Sequence, residues 1–164
     1  MQSHYTHYAV DENYLRYCFI LEFEPHVTVA TVVERDRRFL LVEEWAEGQL
    51  VFNQPAGHLD ANETLQAAAI RETLEETAWQ VELRGVVGLA LYTAPANGIT
   101  YMRTTFAATA VKQLEVALDK DIERALWLSH EEILASSAKM RSPLVIATVE
   151  QYLAGNCYPL DLMY

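Results

Sequence analysis

From His26 to Glu34 the chain reads HVTVATVVE, a β-branched alternation that predicts a strand. Phe39–Glu44 (FLLVEE) predicts a second, after the polar turn Asp36-Arg37-Arg38, and Leu50–Phe52 a short third before Pro55 and Gly57 interrupt the backbone. A helix is predicted from about Asn62, a favourable N-cap residue, to about Thr77. Two apolar runs follow, Gly85–Thr93 and Ile99–Val111, and the Asn97-Gly98 pair between them signals a hairpin. Ala125–Leu128 predicts a last strand. Ser129-His130-Glu131-Glu132 has the capping-box pattern that opens a helix, here to about Ala138, and Ser142-Pro143 opens another ending near Gly155. Residues 1–22 are tyrosine-rich without a period, so an N-terminal extension is expected there: an added strand, an arm or a dimer contact. Strands mixed with helices predict one layered α/β (α+β) domain over residues 23–164.

The helix predicted over 62–77 has an unusual pattern. At roughly 100° per residue, Ala67, Ile70 and Leu74 form one stripe, expected to face the core. Nearly opposite, Leu65, Ala68, Ala69, Glu72 and Glu76 share a second side, with Glu75 beside them. Glu72, Glu75 and Glu76 stand at i, i+3 and i+4, a spacing at which like charges repel unless something offsets them. Two readings are open. One is a solvated surface helix with Arg71 pairing Glu75. The other is a site for a hard divalent cation, which takes carboxylate and phosphate oxygens.

Composition narrows the function classes. The 164 residues are 51% hydrophobic and 21% charged, as a folded globular domain requires. The formal net charge of −11 argues against binding duplex nucleic acid through its phosphates. The segment Gly57–Trp79 alone holds five acids against one base. Cys18 and Cys157 are too few for a disulfide scaffold and fit a reducing compartment. No apolar run approaches the roughly 20 residues of a membrane span, and no signal peptide pattern opens the chain. A cytoplasmic protein without membrane or duplex nucleic-acid partners, monomer or homodimer, is expected.

What precedes the helix bears on the choice. Residues 54–79 read QPAGHLDANETLQAAAIRETLEETAW, which resembles the Nudix hydrolase signature G-x5-E-x7-R-E-U-x-E-E-x-G-U, U being a bulky aliphatic residue. Gly57, Glu63, Arg71, Glu72, Glu75 and Glu76 match in register. Thr73, Ala78 and Trp79 depart from it, all at packing or turn positions. More narrowly, FEPHVTVATVV, VFNQPAGHLDANETL, DIERALWLSHEEIL and RSPLV resemble the NudJ-like phosphatases of that superfamily, from about Phe23 to Pro159.

The resemblance implies a Nudix α/β/α sandwich with a mixed sheet and a loop–helix–loop signature. It implies Mg²⁺ (Mn²⁺ as a substitute) and hydrolysis of small phosphorylated substrates: nucleoside di- and triphosphates, thiamine pyrophosphate or its pyrimidine precursor's pyrophosphate. Carried over residue by residue, Glu72, Glu75 and Glu76 become metal ligands and catalytic acids, with Glu76 first as ligand and Glu72 as general base. A backbone carbonyl of Ala56 or Gly57 would join the metal, and Glu63 and Arg71 would support the acids. Asp121 is a candidate for a further acid from outside the motif. His58 and Arg103 are candidate substrate contacts, each also readable as an ordinary loop or strand-edge residue. Trp45, Phe52 and Tyr92 could stack a ring or belong to the core. Two alternatives are an ADP-ribose or dinucleotide pyrophosphatase, and a Nudix module that binds nucleotides without catalysis.

Overall fold

The computed structural model describes residues 23–163. The extension expected over residues 1–22, and Cys18 with it, lies outside the described residues. In chain order the elements are β1 (His26–Arg35), β2 (Arg38–Ala46), β3 (Gln49–Asn53), β4 (Ala56–His58), α1 (Leu65–Thr77), β5 (Trp79–Thr93), β6 (Thr100–Gln113), β7 (Ile122–Ser129), α2 (His130–Ala135) and α3 (Leu144–Leu153).

The strands run in the order β3-β2-β1-β6-β5, β1 and β6 parallel and the others antiparallel, with β7 beside β2. β1 divides its pairing. Its first half pairs β4 (Thr28↔His58, Ala30↔Ala56) and its far end pairs β2 (Glu34↔Phe39).

Alternation along the central strands sends side chains to two cores. Val29, Val33, Leu40, Phe106 and Ala108 pack with Ala68 and Ala69 of α1 on one face. Val32, Phe39, Leu41 and Ala107 pack with Ile133 of α2 and Val145 and Val149 of α3 on the other. The expected α/β/α sandwich is what forms, and no described helix is long and apolar enough to cross a membrane.

Several boundaries move, each for a local reason. Helix α1 starts at Leu65 with Thr64 as N-cap, its Oγ1 accepting from the Ala67 N–H at 3.1 Å. Asn62, expected as the cap, sits instead in the preceding turn at φ 64°, a left-handed conformation asparagine tolerates. Strand β5 begins at Trp79 rather than Gly85, because Trp79, Val81 and Leu83 alternate with exposed Gln80, Glu82 and Arg84. The hairpin at Asn97-Gly98 exists, but residues 94–99 form a longer loop in which the Asn97 side chain accepts from the Ile99 N–H at 2.9 Å. The Ser129–Glu132 capping box is present, and α2 ends at Ala135 before a 3₁₀ turn over Ser137–Lys139.

Candidate active site

Helix α1 inverts the expected burial. Ala67 and Ile70 of the predicted core stripe are exposed, Ile70 by 40%, and Leu74 is only half-buried. The buried face holds Ala68, Ala69, Glu72, Thr73, Glu76 and Thr77. Two alanines let this face approach the sheet closely. Thr73, in place of an aliphatic residue, is fully buried and satisfied: its hydroxyl pairs with that of Thr31 at 2.8 Å and bonds the Ala69 carbonyl at 2.7 Å. A helix that buries hydroxyls and carboxylates is positioned for chemistry rather than for maximal apolar burial.

The other two departures from the signature are accommodated where they stand. Ala78 adopts the left-handed C-cap expected of glycine, at φ 59°, and its N–H donates to the Leu74 carbonyl at 2.8 Å. Trp79 meets Trp127 edge-on at 5.7 Å, and the Arg35 guanidinium lies over both rings at 4.8 and 4.5 Å.

The loop before α1 delivers backbone to the acids. The Ala56 N–H donates to Glu76 Oε2 at 2.9 Å. Gly57 lies so close to Glu72 that a Cβ there would be 2.0 Å from its carboxyl carbon, so this position requires glycine for contact rather than conformation. Burial pushes the Glu76 carboxyl up to about 9, against the pull of the Ala56 N–H, and the negative charges of Glu44, Glu72 and Asp119 add to the rise. Burial likewise raises Glu72, although the Arg71 guanidinium beside it counteracts this.

Arg71 organises the remaining acids. Its Nε and Nη2 donate to the two oxygens of Glu63 at 2.9 Å each, and Nη1 donates to Glu72 at 2.8 Å and Glu75 at 2.9 Å. Nη2 also reaches the His58 carbonyl at 3.1 Å, tying loop to helix. The i, i+4 pair with Glu75 therefore exists as one arm of this network. Glu72 and Glu76 point inward, whereas the Glu75 side chain is 42% exposed and drawn to Arg71. Among the described residues, no three His, Cys, Asp or Glu side chains are gathered at metal-ligand spacing in this arrangement.

Two acids near the helix escaped the sequence reading. Glu44 is buried on β2 where the β2–β7 register shifts between Glu43 and Glu44, a bulge that can re-aim a side chain. Its Oε1 lies 3.2 Å from Arg141 Nη1, off hydrogen-bond geometry. Asp119 donates its N–H to the Glu75 carbonyl at 3.0 Å, which places its charge near Glu72 and Glu76. A carboxylate within the apolar run FLLVEE was the available signal for Glu44; nothing local marked Asp119.

A cleft of about 770 Å³ opens over these groups, lined by Glu44, Gly57, Glu72, Glu76 and Ala56. His58, Arg103 and Asp121 line it as well. Asp121 sits at the rim, 69% exposed and 3.9 Å from Lys120, so it is less involved with the inward acids than Glu44 or Asp119. His58 stacks edge-on with His26 at 5.5 Å, and burial lowers its pKa, keeping the ring neutral near pH 7. Trp45 and Tyr92 line the cleft, whereas Phe52 belongs to the core at 8% exposed and is no stacking platform. Arg141, also missed, adds a second cation to the lining.

A model of the NUDIX domain family matches residues 24–148. The chain belongs to the Nudix family. Its relatives include the phosphatase NudJ of Escherichia coli strain K12, 41% identical over 142 residues that cover 86% of this chain and 92% of the relative. The NudJ phosphatase of Shigella flexneri matches to the same extent. Among solved structures, a NUDIX hydrolase from Nitrosomonas europaea superposes with a TM-score of 0.84 at 43% identity, over 86% of this chain and 97% of that one. A second NUDIX hydrolase from the same organism aligns at TM-score 0.65 and 26% identity, over 83% and 76% of the two chains. This Nudix protein is a hydrolase rather than a catalytically silent binding module. Of the signature acids, Glu72 and Glu76 have the cleft rather than open solvent as their environment.

Proposed function

We propose that this Nudix hydrolase cleaves phosphoanhydride bonds of small pyrophosphorylated metabolites with Mg²⁺, releasing a phosphate-containing leaving group. The substrate classes are nucleoside di- and triphosphates, thiamine pyrophosphate, and the pyrophosphate of its pyrimidine precursor. One observation carries the reading: Glu72 and Glu76 are buried, lie against the backbone of Ala56 and Gly57, and face a cleft that also presents Arg103.

The donor set fits a hard cation. Mg²⁺ is held by one or two carboxylates together with substrate phosphate oxygens, and Glu72 and Glu76 supply two such carboxylates. Burial raises both carboxyls first of all and neighbouring acids add to the rise, so each is a group whose charged form a cation would favour. Glu75 and the Ala56 or Gly57 carbonyl complete the proposed set. When bound, Mg²⁺ would neutralise charge on the phosphate chain and acidify a water. The chain's own residues take the following parts in this reading. Glu72, the proposed base, takes a proton from the attacking water, while Arg71 holds it beside Gly57. Glu63 fixes Arg71 through both carboxylate oxygens, and Ala56 orients Glu76. Arg103 offers positive charge to the phosphates, and the His58–Tyr101 side of the mouth provides a surface for a ring.

The deciding experiment incubates the protein with Mg²⁺ and a panel: thiamine pyrophosphate, nucleoside di- and triphosphates, and ADP-ribose, with phosphate and pyrophosphate assayed separately. Turnover of the first two groups is expected. Activity on ADP-ribose alone would transfer the protein to the dinucleotide-pyrophosphatase reading.

A further inference from the structure

Strand β5 is the last in the sheet order and changes character along its length. In its first half the exposed positions are Gln80, Glu82 and Arg84, polar and charged residues of the kind that protect a sheet edge. The tail covers the edge at one point, where Val86 and Tyr158 exchange backbone N–H···O=C bonds of 2.8 Å each. Beyond it the protection stops. The exposed positions become Leu89, at 64%, Leu91, at 65%, and Thr93. Met102, the register partner of Leu91 on β6, is 37% exposed. The backbone follows the same alternation. In the hairpin the Ala94 N–H donates to the Ile99 carbonyl at 2.9 Å, and the β5–β6 register runs unshifted from there back to Gly88. Antiparallel pairing therefore turns the N–H and C=O groups of Ala90 and Tyr92 toward β6 and those of Leu89, Leu91 and Thr93 outward. Among the described residues, nothing pairs with that outer row.

We infer that this half-strand is an interface with a second copy of the chain, the two β5 edges pairing antiparallel across a two-fold axis at Leu91. The outer row is self-complementary. About such an axis Leu91 faces its own counterpart, and Leu89 and Thr93 face each other, so every outward N–H meets an outward carbonyl. Charge selects the same occupant. From Gly85 to Met102 no residue is charged, in a chain of net charge −11, so two copies meet on this face without opposing like charges. A basic or phosphorylated partner finds no countercharge here, whereas a second copy brings a neutral strand of matching period. Ala90 and Tyr92 alternate to the other face, where Tyr92 lines the cleft, so the leucines of the two copies meet on the side away from it. A contact of a few residues a side is small, below about 1,200 Å² in total, which makes the dimer a reversible one with a Kd on the order of 1–100 µM.

The test is sedimentation velocity on the full chain, from sub-micromolar to several hundred micromolar, at physiological salt. A monomer–dimer equilibrium is expected, and it should tighten as salt rises, because screening relieves the repulsion between two acidic chains while the neutral contact is unaffected. Leu91→Lys and Leu91→Glu each place like charges opposite one another at the axis and should each raise Kd at least about tenfold. An equimolar mixture of the two should recover most of the association as a heterodimer, since only a two-fold at this position sets Lys against Glu. The same pair of substitutions at Val111, 62% exposed at the far end of β6, should leave association as in the wild type. Leu91 is solvent-exposed, so the variants should melt as the wild type does; if either charge change unfolds the chain, Leu89→Lys with Thr93→Glu applies the same test at the flanking pair. A full chain that stays monomeric throughout overturns the interface, including the case in which its own residues 1–22 occupy the edge. So does a dimer that weakens as salt rises, that ignores Leu91, or that responds equally to Val111.

Discussion

Glu63 and Glu76 belong to one signature and carry the same side chain in contrary environments. Glu63 receives two hydrogen bonds from Arg71, which hold its carboxyl below the ordinary carboxylate range. Glu76 is buried 20 residues away from its only described donor, the Ala56 N–H, and is pushed up to about 9. The first is a carboxylate whose charge is already answered within the fold. The second is one whose charge the fold leaves to be answered from outside. Arg71 stands between the two roles, bracing Glu63 while steadying Glu72 from one side. The comparison separates acids that build the site from acids that use it.

Substitution at the inward end should have the largest effect on turnover. Glu76→Gln keeps an acceptor for the Ala56 N–H and removes the charge, so folding should survive while kcat falls on the order of 10³-fold, several kcal/mol of lost metal-assisted stabilisation. Wild-type rates across a Mg²⁺ titration would break the contrast with Glu63. Gly57→Ala comes next. Its new Cβ would stand 2.0 Å from the Glu72 carboxyl carbon, forcing that group aside. A displacement of this kind costs on the order of 10²-fold in kcat, with little change in the melting temperature.

At the braced end, Arg71→Ala should affect folding and turnover together. It strips the partner from Glu63, Glu72 and Glu75, and a partly buried network of this kind contributes about 2 kcal/mol. A melting temperature lower by several degrees is expected; an unchanged melt would make Arg71 a purely catalytic residue.

Acidity supplies a finer test in metal-free protein. Because Glu76 is raised from 4.5 to about 9, the folded state retains a proton the unfolded chain has lost. Its contribution to stability is full below 4.5 and is lost as pH rises through about 9. Glu63, being lowered, acts oppositely: its share is present above its ordinary value and is lost in acid. Melts in EDTA should therefore decline from pH 5 towards pH 9, and Glu76→Gln should flatten that decline. The smallest effect belongs to Ala78→Gly, which exchanges relief of left-handed strain for loss of a buried methyl, each about 1 kcal/mol, so the melt should move by only a few degrees.

The strands, the helix and the spacing of the signature residues were readable in order along the chain, since period and capping are local properties. Which face of α1 is buried was not readable. A wheel shows two stripes, and the stripe of Ala67, Ile70 and Leu74 is the more apolar, yet the structure turns Glu72 and Glu76 inward. Thr73 shows why: its hydroxyl is satisfied by Thr31, a partner 42 residues earlier on β1. Glu44 and Arg141 lay hidden for a similar reason, since their place depends on a strand bulge and on a loop that crosses to β3.

The residues alone were enough for the reaction class, because the charged positions of the signature sit at fixed intervals in one short segment and need no distant partner to be recognised. They were also enough for the sandwich, because each element announces its own period. Which acids face inward, which are already neutralised by Arg71, and which cations stand opposite them came from the fold. Those properties depend on burial and on partners brought together from β1, β2, β6 and the loop before α3, and electrostatics in a cleft is set by what surrounds a charge rather than by its neighbours in sequence.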